Sequence, residues 1–200
     1  MRSERGLSVA ENKDTGFRVI TSVIKPAFKM HFSPTIIGCE NIPKDGAAVI
    51  AGNHKNIRDQ FLVFLATDRV INYMAKREYF DGALAPLFKW AGCIPVNRDG
   101  FDAAAVRRAI KILKNGGAVG IFPEGTRNRT DKLLLAFKPG AAAIAKRGGA
   151  LIVPFAISGE YRKNGNLKIL FGEPFSPESM SVEEATDKLY SAVSNLLESQ

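Results

Sequence analysis

Only two histidines occur in the chain. One of them, His54, stands in Gly52-Asn53-His54-Lys55-Asn56-Ile57-Arg58-Asp59, a polar turn between an apolar run that ends at Ala51 and another that begins at Phe61. Read as strand, turn and helix, this stretch puts His54 beyond the carboxyl end of a buried strand, where open α/β sheets hold their ligands. Asp59, near the start of the helix, can fold back toward the imidazole. A carboxylate there keeps one ring nitrogen protonated and leaves the other free as a base. A turn cap and a helix cap are the plainer explanation of any single His–Asp pair. Matching polar groups at other strand ends weigh against it.

Those ends follow from the apolar patterning. Thr35 to Cys39, Ala47 to Ala51, Val70 to Ala75, Cys93 to Val96, Ala118 to Phe122, Leu151 to Ile157 and Leu167 to Phe171 read as strands. Between them lie helical stretches: one after Asp59, one over Tyr79 to Ala91 interrupted by Pro86, and one opened by Asp102 with Val106, Ile110 and Leu113 on one face and Asn115-Gly116 as its stop. Pro139 to Lys146 is an Ala-rich helix closed by Gly148-Gly149, and Ser181 with Glu184 forms a capping box that starts the last helix. Strands alternating with helices predict a single α/β domain with a largely parallel or mixed central sheet flanked by helices. Pro154 inside a strand points to an edge or a bulge. Ahead of the domain, Phe17 to Phe32 has helical apolar spacing with Arg18, Lys25 and Lys29 among it, and Pro26 as a break or kink. It fits equally an amphipathic helix in a lipid headgroup layer and an ordinary core-packing helix. The division expected is 1–34, a polar arm and amphipathic membrane-contacting segment, and 35–200, the catalytic domain.

Four strand ends then gather at one rim: His54 with Asp59, Lys76, Arg98, and Glu124-Gly125-Thr126-Arg127. Arginine pairs bidentately with phosphate oxygens, so a base beside such cations suggests proton abstraction from a substrate held by its phosphate. The net charge of +8 and a pI near 9.6 agree with an anionic partner. Aromatic-basic RNA motifs and zinc-finger spacings are missing, so neither nucleic acid nor a metal is expected. Two cysteines, Cys39 and Cys93, are too few for a disulfide framework and suit a reducing compartment. No apolar run approaches the length that spans a bilayer.

Asn53-His54 followed after four residues by Asp59, then Gly92-Cys93-Ile94-Pro95-Val96-Asn97-Arg98, then Phe122-Pro123-Glu124-Gly125-Thr126-Arg127, then the apolar stretch around Pro154, resemble the four blocks of the glycerolipid acyltransferase family, in the family's order and over roughly residues 36 to 157. Asn97 stands where many members carry Asp. The resemblance implies acyl transfer from a thioester of coenzyme A or acyl carrier protein to the free hydroxyl of a lysophosphatidic acid, giving phosphatidic acid, with the donor as a substrate and no resident cofactor. His54 would be the general base oriented by Asp59. Arg98 and Arg127 would hold the phosphate with Lys76 as a third cation, and Glu124, Gly125 and Thr126 would shape the acceptor site. Backbone N–H groups near Gly52-Asn53 or Gly125 are candidate oxyanion donors. The short N-terminal segment implies a peripheral protein on the cytoplasmic face of an anionic membrane, with acyl carrier protein a further partner.

Rival readings keep the fold and change the chemistry. Glycerol-3-phosphate or another lysophospholipid could be the acceptor, or the chain could be a non-catalytic module for anionic lipid. A hydrolase using Cys93 lacks the nucleophile elbow before a helix that such chemistry requires. Gly-x-Ser-x-Gly is also missing, so direct transfer without an acyl-enzyme is expected.

Overall fold

A computed structural model describes residues 22, 24–83, 85–97, 100 and 102–199. Its strands are β1 (Thr35–Ile37), β2 (Ala48–Gly52), β3 (Ile71–Lys76), β4 (Ile94–Val96), β5 (Ala118–Ile121), β6 (Leu151–Ser158) and β7 (Lys168–Phe171). Its helices are α1 (24–32), α2 (Asp59–Ala66), α3 (Ala85–Trp90), α4 (Ala103–Lys114), α5 (Gly140–Gly148) and α6 (Val182–Glu198).

One seven-stranded sheet has the order β1-β7-β6-β2-β5-β3-β4. The run from β6 to β4 is parallel, β7 is antiparallel to β6, and β1 is parallel to β7. The short link from β6 to β7 leaves no room for the crossover that parallel strands need, so the chain turns back on itself and the sheet is mixed. Every residue of β2 is buried, as a parallel strand covered on both faces should be. Val49 and Ala51 face a core shared with α4, α5 and α6, including Ala105, Leu113, Ala141 and Leu189. Ala48 and Ile50 face a second core that holds Leu62 and Val63 of α2 and Phe28 of α1. The central strands are thus fixed on both sides, which makes their carboxyl ends a rigid rim.

Helix ends follow local chemistry. The Asp102 side chain accepts the Ala105 N–H and caps α4, and Ser181 with Glu184 forms the expected reciprocal box on α6. Three expectations change in detail. The stretch from Tyr79 is a 3-10 turn at Arg77–Phe80 followed by a separate helix. Asp81-Gly82 makes the interruption, because the Asp81 N–H closes on Glu78 and the Ala85 N–H on Gly82, while Pro86 sits in the first turn of α3, where its missing N–H costs nothing. β1 ends at Ile37, since Gly38 takes a φ of 72° and packs against the Phe171 carbonyl. Helical backbone passes through Pro26 and continues to residue 32; Phe17 to Thr21 lie outside the described residues. Pro154 lies on an interior strand, and there it faces a bulge: between the Ile152–Phe175 bridge and the Phe155–Phe171 pair, Val153 and Pro154 oppose Gly172, Glu173 and Pro174.

Candidate active site

β2 ends at Gly52, a position where nothing larger fits, since a Cβ there would meet the Phe155 carbonyl at 2.1 Å. Asn53 then replaces the strand with its side chain. Its amide donates to the Ile157 carbonyl at 2.9 Å and accepts the Ile157 N–H at 2.7 Å, extending the β2–β6 ladder by one buried step. His54 follows with its main chain clamped from both sides. Its N–H donates to Glu124 Oε1 at 2.7 Å, and its carbonyl accepts the Asn128 N–H at 2.7 Å. The backbone of the residue that would do the chemistry is therefore fixed by the loop after β5.

The Asp59 side chain turns back from the first turn of α2, as the spacing predicted. Oδ2 accepts His54 Nδ1 at 2.8 Å, the Lys55 N–H at 2.7 Å and the Asn56 N–H at 2.8 Å. Oδ1 accepts the Tyr161 hydroxyl at 2.5 Å. The carboxylate is wholly buried, and four donors offset the cost of removing it from water. A carboxylate can only accept, so Nδ1 carries the proton and Nε2 is left with its lone pair. Among the described residues Nε2 has no hydrogen-bond partner. The ring stacks on Phe122, with centroids 3.9 Å apart and planes at 12°, and Phe122 in turn stacks on Tyr73 at 5.4 Å. The His54 side chain keeps 13% of its surface open, enough for a substrate group to reach it.

The other expected residues fall into three groups. Glu124 is buried, and its two oxygens accept the His54 and Leu135 N–H groups, at 2.7 and 3.0 Å. Its side chain ties the strand-end loops to each other; burial raises its carboxyl above the ordinary value, and the two amides pull it back. Gly125 turns the chain with a φ of 70° and spends its N–H on the Phe122 carbonyl, so that N–H is not a free oxyanion donor. Thr126 is exposed, and Arg127 is half-buried, one residue from the Asn128 N–H that holds His54. The Arg127 guanidinium has no side-chain partner among the described residues. Lys76 ends β3 and pairs with Glu78 at 2.7 Å. Arg98 lies outside the described residues.

Two side chains reach the site without having been anticipated. Lys138 packs along Gly125, with its Nζ 3.0 Å from where a Cβ would stand. Tyr161 follows β6. That strand read as core alone, yet its carboxyl end belongs to the same rim; the rule that placed the other ends could have found Tyr161. Cys93 is mostly enclosed, and burial pushes its thiol up to about 12, which keeps it a thiol rather than a nucleophilic thiolate.

This geometry can remove a proton from a hydroxyl brought to His54 Nε2, on a rim where the Arg127 guanidinium has no side-chain partner among the described residues. The family model described as Acyltransferase matches residues 33–158, the span that holds every one of these residues except Tyr161. A 1-acyl-sn-glycerol-3-phosphate acyltransferase of Bacillus subtilis is 33% identical over 165 residues, covering 79% of this chain and 81% of that one. A chloroplastic enzyme of the same description from Arabidopsis thaliana is 28% identical over 83% of this chain, which spans 49% of its length. The crystal structure of the 1-acyl-sn-glycerophosphate (LPA) acyltransferase PlsC from Thermotoga maritima superposes with a TM-score of 0.73 at 26% identity, over 100% of this chain and 83% of that one.

Proposed function

From the premise that this chain belongs to the acyltransferase family, we propose that it acylates lysophosphatidic acid at its free sn-2 hydroxyl, giving phosphatidic acid, with an acyl thioester of coenzyme A or acyl carrier protein as donor. The observation that carries the mechanism is the 2.8 Å contact between His54 Nδ1 and the buried Asp59, which leaves Nε2 as a base at the rim of the sheet. Nε2 takes the proton of the acceptor hydroxyl as the oxygen attacks the thioester carbonyl carbon. The C–S bond breaks as the ester forms, and the proton passes from His54 to the departing thiolate. Asp59 stabilises the imidazolium between those two events.

Arg127 holds the acceptor's phosphate, supported by its half-buried place beside the loop that anchors His54 and by its lack of a side-chain partner among the described residues. Lys76 and Arg98 are the further cations of the reading. The relatives' descriptions as 1-acyl-sn-glycerol-3-phosphate acyltransferases support this acceptor over glycerol-3-phosphate. No helix among the described residues is long and apolar enough to cross a membrane. We place the enzyme peripherally on an anionic surface, on the cytoplasmic face, where the thioester donors are made; the net charge of +8 supports this.

A thiol-release assay with a panel of acceptors tests the reading. Release should be fast with lysophosphatidic acid and slow with glycerol-3-phosphate and with monoacylglycerol. Arg127→Ala should raise KM for lysophosphatidic acid about tenfold or more and leave the donor's KM within about twofold, as loss of a charge-assisted pair requires. Equal rates with monoacylglycerol would remove the phosphate from the account.

A further inference from the structure

Resting on the reading of His54 as the base, we propose that Tyr161 is a positioning residue of the reaction, whose hydroxyl fixes the outer oxygen of Asp59 and disperses its charge, so that His54 stays in one orientation and remains an unprotonated base at lower pH than it otherwise would. The two oxygens of Asp59 are used unequally. Oδ2 is shared by the imidazole and two main-chain N–H groups, whereas Oδ1 has the Tyr161 hydroxyl alone among the described residues, at 2.5 Å. That distance is typical of a hydrogen bond to an ionised oxygen. Burial first, then Asp59 itself, raises the Tyr161 phenol far above its ordinary value. Tyr161 is therefore a donor at any working pH and cannot become a rival base.

The phenol ring is held from outside the site. Phe28 and Phe32 of α1 meet it edge-on, at 6.3 and 5.8 Å, and Arg162 pairs with Glu160 beside it. The loop is also fastened to the turn of the base by Lys55, whose amine donates to the Gly159 carbonyl at 3.1 Å. The other titratable groups around the pair have different employments. Arg58 lies over the Phe32 ring, and His31 of α1 packs edge-on to that ring. Glu124 holds main-chain amides. Tyr73 of β3 is buried with its hydroxyl unpartnered among the described residues, and Cys93 is a neutral thiol. Removing the Tyr161 hydroxyl would leave Oδ1 of the wholly buried Asp59 without a donor, concentrating charge on Asp59 and making protonation of His54 easier.

Tyr161→Phe keeps the ring contacts with Phe28 and Phe32 and deletes only the donor. We expect kcat to fall about tenfold with both KM values within about twofold. The acid limb of the kcat/KM profile should move to higher pH by about half to one unit, the size expected on losing a hydrogen bond to the partner carboxylate. In an Asp59→Asn background the same change should cost almost nothing more, since the two residues act as one unit. Incorporating 3-fluorotyrosine at position 161, a stronger donor that keeps the fold, should move the limb to lower pH. An unmoved acid limb in both variants, or additive losses with Asp59→Asn, would overturn the assignment. If His54→Ala keeps wild-type turnover, the base itself is misassigned; if His54→Ala is inactive and the Tyr161 variants keep the wild-type profile, only this inference fails.

Discussion

A carboxylate with no exposed surface persists at Asp59 because four donors meet its oxygens, and the same donors orient His54. Nucleophilic chemistry, by contrast, is disfavoured at Cys93, where burial pushes the thiol up to about 12. Three outcomes follow at this scale. With a thiol reagent near pH 8, the native protein should show one fast thiol, exposed Cys39, and a second only after unfolding. The double variant Cys39→Ala, Cys93→Ala should keep most of its activity, and wild type incubated with acyl donor alone should keep its mass. Two fast thiols would mean that Cys93 is a reactive thiolate after all, and a mass increase that lysophosphatidic acid discharges would indicate an acyl-enzyme.

The strand-end loops make the site out of elements that have little in common in sequence. Glu124 sits 70 residues from His54 and holds its main chain, so Glu124→Ala should leave two N–H groups without partners. Each unsatisfied buried group costs about 1–3 kcal/mol, and a lowered Tm together with a lowered kcat is the expected result. A Tm and kcat both equal to wild type would mean that the clamp is dispensable. This is also where the sequence could and could not be read. The central strands are visible because parallel strands buried on both faces are unbroken apolar runs, as Ala48–Gly52 shows; the partly exposed β1 and β7 show only as short apolar stretches. The Asp59–His54 contact was visible because its partners are five residues apart and a turn closes the gap. Lys138 is not legible in this way, because it arrives through a long-range turn that no local spacing announces; Tyr161 is legible only through the strand-end rule, as a residue just past the end of β6. The break near Pro86 was misplaced because Asp81-Gly82 ends the preceding turn before the proline has any effect.

The net charge of +8 suits an anionic partner, and α1 is the described link to the N-terminal segment. Phe28 is buried in the core, while Met30 is 83% exposed and Lys29 and His31 are also exposed. The helix therefore both packs on the domain and offers an outer face, so the two readings of it are compatible. Met30→Glu should weaken co-sedimentation with acidic vesicles without lowering Tm, and wild-type binding should fall as salt shortens screening from ~10 Å at 0.1 M to ~3 Å at 1 M. Unchanged binding in both cases would leave α1 as core alone. The central claim, that one imidazole oriented by a buried carboxylate activates the acceptor hydroxyl, is tested most directly by the turnover of His54→Ala with an acyl thioester and lysophosphatidic acid, measured on protein shown to melt like wild type. Loss of a positioned base predicts a fall of ~10²–10⁴-fold; turnover within a few-fold of wild type would contradict the account.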